Sequence, residues 1–353
     1  MNEKKQNKKI VIGRTDLAKD EYDKYQASSL NQLIDFKNEE FNLNNITVIK
    51  NIIGNQSASI LQKQPGNYYT IDLSNCDIHD TKTIDDIERT FASTLKDMLE
   101  NLHLTGKKAF VVGLGNSNVT PDAIGPYVID NTIVTRHLYL IDALSEGFSC
   151  VSAMSPGVMG STGIETYDVI EAIIKKIDVD FVIVVDALAT NAIKRINRTI
   201  QLTDSGIKPG SGVGNSRKEI SMSTLGIPVI AIGIPTVVDA TTITVDAIQM
   251  TLKYLSLEMD KKTSFANKLS PTLVYEDLSK AKDLPDSHKE TLFGAFGKLT
   301  ESEQKTLIEE VLTPQGYNLM VTPKEIDVEV EDLSKIIANG INLAMHVGLY
   351  NGK

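Results

Sequence analysis

The sequence has no tryptophan, only two cysteines and only five histidines in 353 residues, and aromatic residues make up 6% of it. Each shortage closes a class of function. Cys76 and Cys150 are too few and too far apart for a disulfide framework or a CxxC zinc cage, and they suit a reducing cytoplasm. His79, His103, His137, His288 and His346 are scattered and make no H-E-x-x-H pair, so only His137 stays as a weak metal candidate. There is no G-x-S-x-G elbow for a serine hydrolase. Basic residues are outnumbered, 36 Lys and Arg against 46 Asp and Glu, for a net charge of −10. That balance argues against nucleic acid or an anionic membrane held by bulk electrostatics. No apolar run approaches the roughly 20 residues of a membrane span. The lysines at the N-terminus precede only Ile10-Val-Ile12, too short for the apolar core of a signal peptide.

What remains is an ordinary globular composition, with 41% hydrophobic and 23% charged residues. Residues 1 to about 25 are polar and lysine-rich, the pattern of an N-terminal arm. From Thr83, the residues Ile84, Ile87, Phe91, Leu95, Met98, Leu99 and Leu102 recur at helical spacing, and Thr83 with Asp86 suggests a capping box. Three unbroken apolar runs follow: 109–112, 181–185 and 228–232. Such runs mark strands covered on both faces, as in a parallel sheet flanked by helices. Helical patterns at Tyr167 to Ile177 and Asp239 to Leu255 separate or follow them. The expected fold is α/β, with a mostly parallel central sheet in a core of about residues 105–260 and a helical C-terminal region of about 261–353. In that region Leu333, Ile336, Ile337, Ile341 and Ala344 form one stripe, interrupted by Gly340.

In open α/β sheets ligands gather at the carboxyl ends of the strands. There the sequence places Asp122 after Gly113-Leu-Gly115, Asp186 directly after Val185, and Asp239 after Gly233-Ile-Pro235. Asp122 has a structural reading as a first-turn acid, with Thr120 as N-cap and Pro121 leading the helix, and Asp239 has a similar one. Asp186 closes a wholly apolar strand and must find donors or water. Two carboxylates from neighbouring strands can divide the work of hydrolysis, one taking a proton from water and one giving a proton to the leaving group. With a third ligand they can instead hold a divalent metal. Gly113-Leu-Gly115 falls short of a dinucleotide fingerprint because Asn118 stands at the third glycine position. Residues 208–218 fit no phosphate-loop register; their glycines let backbone N–H groups crowd around an anion, a carbonyl or an extended peptide.

Several stretches carry a specific resemblance: Gly113-Leu-Gly-Asn-x-Asn-Val-Thr-Pro-Asp-Ala-x-Gly-Pro126, Ser155-Pro-Gly-Val-Met-Gly160, Val185-Asp-Ala-Leu-Ala189, Gly206 to Lys218, Leu225 to Ala240 and Met320 to Asp327. In this order they resemble the germination proteases of spore-forming bacteria, a fold similar to the hydrogenase maturation endopeptidases. The resemblance implies an endopeptidase that begins the degradation of small acid-soluble spore proteins, a cytoplasmic location in the spore core, a homotetramer and no cofactor. It puts the two catalytic aspartates on Asp122 and Asp186. Gly113, Gly115, Asn116, Gly212, Gly214 and Asp239 are expected around the substrate or the developing oxyanion.

The resemblance further implies a zymogen that trims itself. Residues 1–16 would be the propeptide and 17–353 the peptidase domain. Arg14-Thr-Asp-Leu-Ala-Lys-Asp20 looks like the substrates' cleavage sequence, with the bond between Asp16 and Leu17 expected to break. Asp16 and Lys19 stand where substrates carry Glu and Ser. A metal-dependent maturation-type endopeptidase and a non-catalytic peptide-binding module are the alternatives; a dinucleotide oxidoreductase is a more distant one.

Overall fold

A computed structural model describes residues 17–20, 33–210, 217–260, 283–312 and 319–352. These divide into two compact units, one reaching Val238 and taking up again at Val321, the other formed by Asp239–Met320.

The larger unit is built on a twisted mixed sheet flanked by helices. Its strands are β1 (Phe36–Leu43), β2 (Ile46–Ile53), β3 (Gly66–Asp72), β4 (Ala109–Gly113), β5 (Val151–Met154), β6 (Phe181–Thr190), β7 (Thr199–Thr203) and β8 (Val229–Asp239). They lie in the order β1-β2-β3-β7-β8-β6-β4-β5. The three expected apolar runs are the strands β4, β6 and β8, parallel to one another and to β5. The expectation of a mostly parallel sheet over 105–260 is corrected: β1, β2, β3 and β7 pair antiparallel, and the sheet begins at Phe36. The missed hairpin turns at Asn44-Asn45, both with positive φ (47° and 64°), as a two-residue turn requires.

One face of the sheet is covered by the helices Thr81–Asn101, Ile124–Asn131 and Ile326–Met345, which close over Val111, Phe181, Ile183, Val185, Ile230 and Ile232. The other carries the helix Thr166–Ile177 over Phe110, Val112, Val182, Val184 and Val229. A strand buried on both sides must be apolar throughout, which is why β4 and β6 read as unbroken runs. The long helix begins at Thr81, not Thr83. Asp80 caps it, accepting from the Thr83 amide at 2.9 Å and the Thr83 hydroxyl at 2.8 Å, so Thr83 is a donor to the cap. Gly340 lies in the Ile326–Met345 helix where an added Cβ would stand 2.3 Å from Phe91 Cδ1, so the glycine permits close helix packing.

The smaller unit is helical in its described residues, with helices Ala240–Asp260, Asp286–Phe293 and Glu301–Leu312. Gln249 donates to Gln304 and Lys305 to Thr242, each at 3.1 Å, tying the first of these helices to the third.

Candidate active site

The crossover after β4 runs through the helix Ile124–Asn131 on one face, and that before β6 through Thr166–Ile177 on the other. The strand order therefore reverses between β4 and β6, and the loops leaving their carboxyl ends flank a crevice. Asp122 follows β4 in the loop at its carboxyl end, whereas Asp186 lies within β6 and does not close it; the expectation that the strand ends at Asp186 is corrected.

Asp122 is placed by glycines. The Leu114 amide donates to the Val185 carbonyl at 2.8 Å, continuing the β4–β6 pairing beyond Gly113. The chain turns at Gly115, whose φ of +113° disfavours any other residue, and the Asn116 amide donates to the Asp122 carbonyl at 3.0 Å. A Cβ on Gly115 would stand 2.0 Å from that carbonyl oxygen, and one on Gly113 would stand 2.2 Å from the Gly125 carbonyl oxygen. Thr236 of β8 donates its hydroxyl to the Pro121 carbonyl at 2.7 Å, fastening the turn from the other side. Thr120, Pro121 and Asp122 form a single 3-10 turn with Val119 in the capping position and no side-chain cap; the expectation of Thr120 as N-cap is corrected. Burial pushes the Asp122 carboxyl up to about 6, against the opposing pull of the Asn116 amide and the Arg217 guanidinium.

Asp186 lies within β6, which runs on to Thr190, and is 7% exposed. Its Oδ1 accepts from the Ala187 amide at 3.0 Å. Across the sheet it pairs with Gly233 of β8, which pairs in turn with Gln201 of β7. Asn116 uses its side chain locally, accepting from the Asn118 amide at 3.0 Å. Asp239 accepts from the Thr241 amide at 2.7 Å at the start of the Ala240–Asp260 helix, the capping role open to it from sequence. Gly212, Gly214 and Asp16 lie outside the described residues.

Leu17 is described and completely buried. Cys150 is buried and burial pushes its thiol up, the behaviour of an inert packing cysteine. Among the described residues no group of three or more His, Cys, Asp or Glu side chains is arranged to hold a metal ion. Among these same residues no helix is long and apolar enough to cross a membrane.

Sequence reasoning missed the contribution of Thr236, which only the packing of β8 against the Pro121 turn reveals. It also missed Gly125, whose added Cβ would stand 2.1 Å from the Leu114 carbonyl oxygen. The signal for Gly125 was the glycine itself, set beside Pro126 in the first turn of a helix.

A NiFe hydrogenase maturation protease from Thermococcus kodakarensis aligns with a TM-score of 0.26 and 17% identity, covering 40% of this chain and 80% of that one. A germination protease of Bacillus cereus strain B4264 is 46% identical over 347 residues, covering 94% of this chain and 93% of its own. One from Bacillus anthracis strain CDC 684 is 46% identical over 308 residues, covering 85% of this chain and 84% of its own. The profile described as germination protease matches residues 11–352, and the chain belongs to that family of peptidases.

Proposed function

We propose that this endopeptidase of spore germination hydrolyses small acid-soluble spore proteins with Asp122 and Asp186, and that it is made as a zymogen whose propeptide, residues 1–16, is removed at the Asp16–Leu17 bond. Membership of the germination protease family over nearly the whole chain supports the protease role. The observation that carries the chemistry is a pair of carboxylates, one in the turn that follows β4 and one within the adjacent parallel strand β6, where the strand order reverses, the first of them raised by burial to about 6. A carboxyl that keeps its proton up to about pH 6 suits the donor to the departing amide nitrogen under mildly acidic conditions, which gives Asp122 the acid role. Asp186 then takes the proton from the attacking water. The Leu114 and Asn116 amides are already spent on the Val185 and Asp122 carbonyls, so the donor this turn would offer to the charged carbonyl oxygen is the Gly115 amide.

A cytoplasmic location in the spore core and a homotetramer belong to the same proposal. Mass spectrometry of wild type, Asp122→Asn and Asp186→Asn under mildly acidic, dehydrating conditions tests the pair. Trimming between Asp16 and Leu17 is expected only in wild type, and unchanged trimming in both variants would remove the two-aspartate mechanism. Chelation is expected to leave the wild-type rate unchanged; loss of activity that added divalent metal restores would favour a metal-dependent mechanism instead. A chain that binds peptides without cutting them would be a binding module.

A further inference from the structure

The face of the sheet that carries Asp186 turns polar past β8. Asp186, Gly233, Gln201, Thr70 and Ile49 form one row across β6, β8, β7, β3 and β2, and Asn51 and Tyr68 stand opposite each other in the next row. These positions share a face, because alternate residues of a strand point the same way. Asn51 is 0% exposed and Thr70 3%. The β2 residues to either side of Asn51 on that face, Ile49 and Ile53, are buried as well, and Ile53 and Tyr68 pack with Ala58 and Leu61 of the helix Asn55–Leu61. Burial alone would select an apolar residue at position 51.

Neighbouring polar groups on this face are paired. Tyr68 donates its hydroxyl to the Gln64 carbonyl at 2.7 Å and accepts from Ser205 Oγ at 2.8 Å, and the Thr203 and Ser205 hydroxyls bond at 2.8 Å. Gln201 Oε1 accepts from the Ala18 amide at 2.8 Å. Among the described residues, by contrast, neither Nδ2 nor Oδ1 of Asn51 meets a partner, and Thr70 Oγ1 meets none. A buried amide or hydroxyl left without a bond carries its full desolvation penalty, so such groups are satisfied by solvent where the protein offers nothing. Asn51 and Thr70 are diagonal neighbours on antiparallel strands, with Cα atoms about 7–8 Å apart, a span that one water can bridge.

We propose that Asn51 and Thr70 form a buried hydration site, in which ordered water accepts from Asn51 Nδ2, donates to Asn51 Oδ1 and bonds Thr70 Oγ1. The two side chains together offer the donors and acceptors that a buried water needs, whereas an apolar pocket of the same size stays dry. Gln201 stands directly across from Thr70, so the water lies beside the side chain that holds the Ala18 amide. The site is separate from the candidate active site. A Cβ on Gly233 would stand 2.2 Å from Leu188 Cδ1, so Leu188 fills the row between Gln201 and Asp186. This water is therefore a fixed part of the fold and not the water that attacks a peptide.

Two measurements on the full chain test this. A crystal structure that shows ordered solvent should place water within hydrogen-bond distance of both the Asn51 amide and Thr70 Oγ1. An empty site, or protein groups making these bonds, would overturn the proposal. Thermal melts separate a wet site from a dry one independently. In a wet site Asn51→Leu expels the water and orphans Thr70, so its Tm should fall by a few degrees, and Asn51→Leu combined with Thr70→Val should recover most of the loss. In a dry site Asn51→Leu removes two uncompensated groups and its Tm should rise. A rise in Asn51→Leu, or losses that simply add in the double variant, would overturn the proposal. Should Asn51→Leu fail to fold, the wild-type crystal structure decides alone.

Discussion

Asp122 couples its own protonation to folding and, in the proposed mechanism, to catalysis. Because burial raises its carboxyl to about 6, the folded chain retains a proton that the unfolded chain releases near pH 4. Its contribution is therefore complete below about pH 4 and is lost as the pH rises through 6, by on the order of 2 kcal/mol. Asp122→Asn cannot ionise, so its urea midpoint should match wild type at pH 4 and exceed it at pH 7; identical pH slopes for the two proteins would refute the buried carboxyl. Peptide hydrolysis by wild type should decline above about pH 6 as the acid loses its proton, and the variant should retain a hundredth of the rate or less, about the usual weight of a positioned acid. Gly115 is the matching backbone position. Gly115→Ala forces a left-handed φ and a clash with the Asp122 carbonyl, so it should cost about 1–3 kcal/mol and lower activity beyond its effect on stability. A variant with full activity in a urea-melt-matched comparison would show that the turn does not position Asp122. Asp186 stood out in sequence because an acid directly after an unbroken apolar run must find donors or water, whereas Asp122 alone read as a first-turn acid and drew notice through its pairing with Asp186 and the resemblance. Asn51 and Thr70 did not stand out, because only the pairing of β2 with β3 brings them together.

Among the elements, β4, β6 and β8 declared themselves because both faces of each are covered. β1 did not, since Phe-Lys-Asn-Glu-Glu-Phe-Asn-Leu is the polar, largely exposed edge strand of the sheet, where charge protects against further pairing. β7 was equally hidden: Thr199, Gln201 and Thr203 are buried, but their polarity breaks the apolar run that marks a covered strand. The Ile326–Met345 helix was visible as a stripe, and Gly340 looked like its weak point. Packing inverts that reading. Gly340→Ala should gain about 1 kcal/mol in helix propensity yet destabilise overall by about 1–2 kcal/mol, because the new methyl group meets Phe91. Trimming the obstacle with Phe91→Leu in the Gly340→Ala background should recover part of the loss. Additive losses measured by chemical denaturation would show that the two positions are not in contact.

At the scale of the molecule, the larger unit is closed by chain from well separated regions: the segment Leu17–Asp20, the sheet, and the Ile326–Met345 helix across it. If that segment is integral to the closure, a chain beginning at Leu17 and one beginning at residue 21 should differ. The shorter chain loses the buried Leu17 and the ion pair of Asp20 with Arg195, a loss of about 3 kcal/mol. Its Tm should fall by several degrees below that of the longer chain. Because the surface left bare is the one that holds the segment, adding the peptide Leu-Ala-Lys-Asp should restore the shorter chain. At a hundred times its Kd, such a ligand returns about 2.7 kcal/mol. Thermal melts of both chains with and without the peptide measure this directly. Recovery of the shorter chain by the peptide is the expected result. Equal Tm values for the two chains would mean that the segment contributes nothing to the fold.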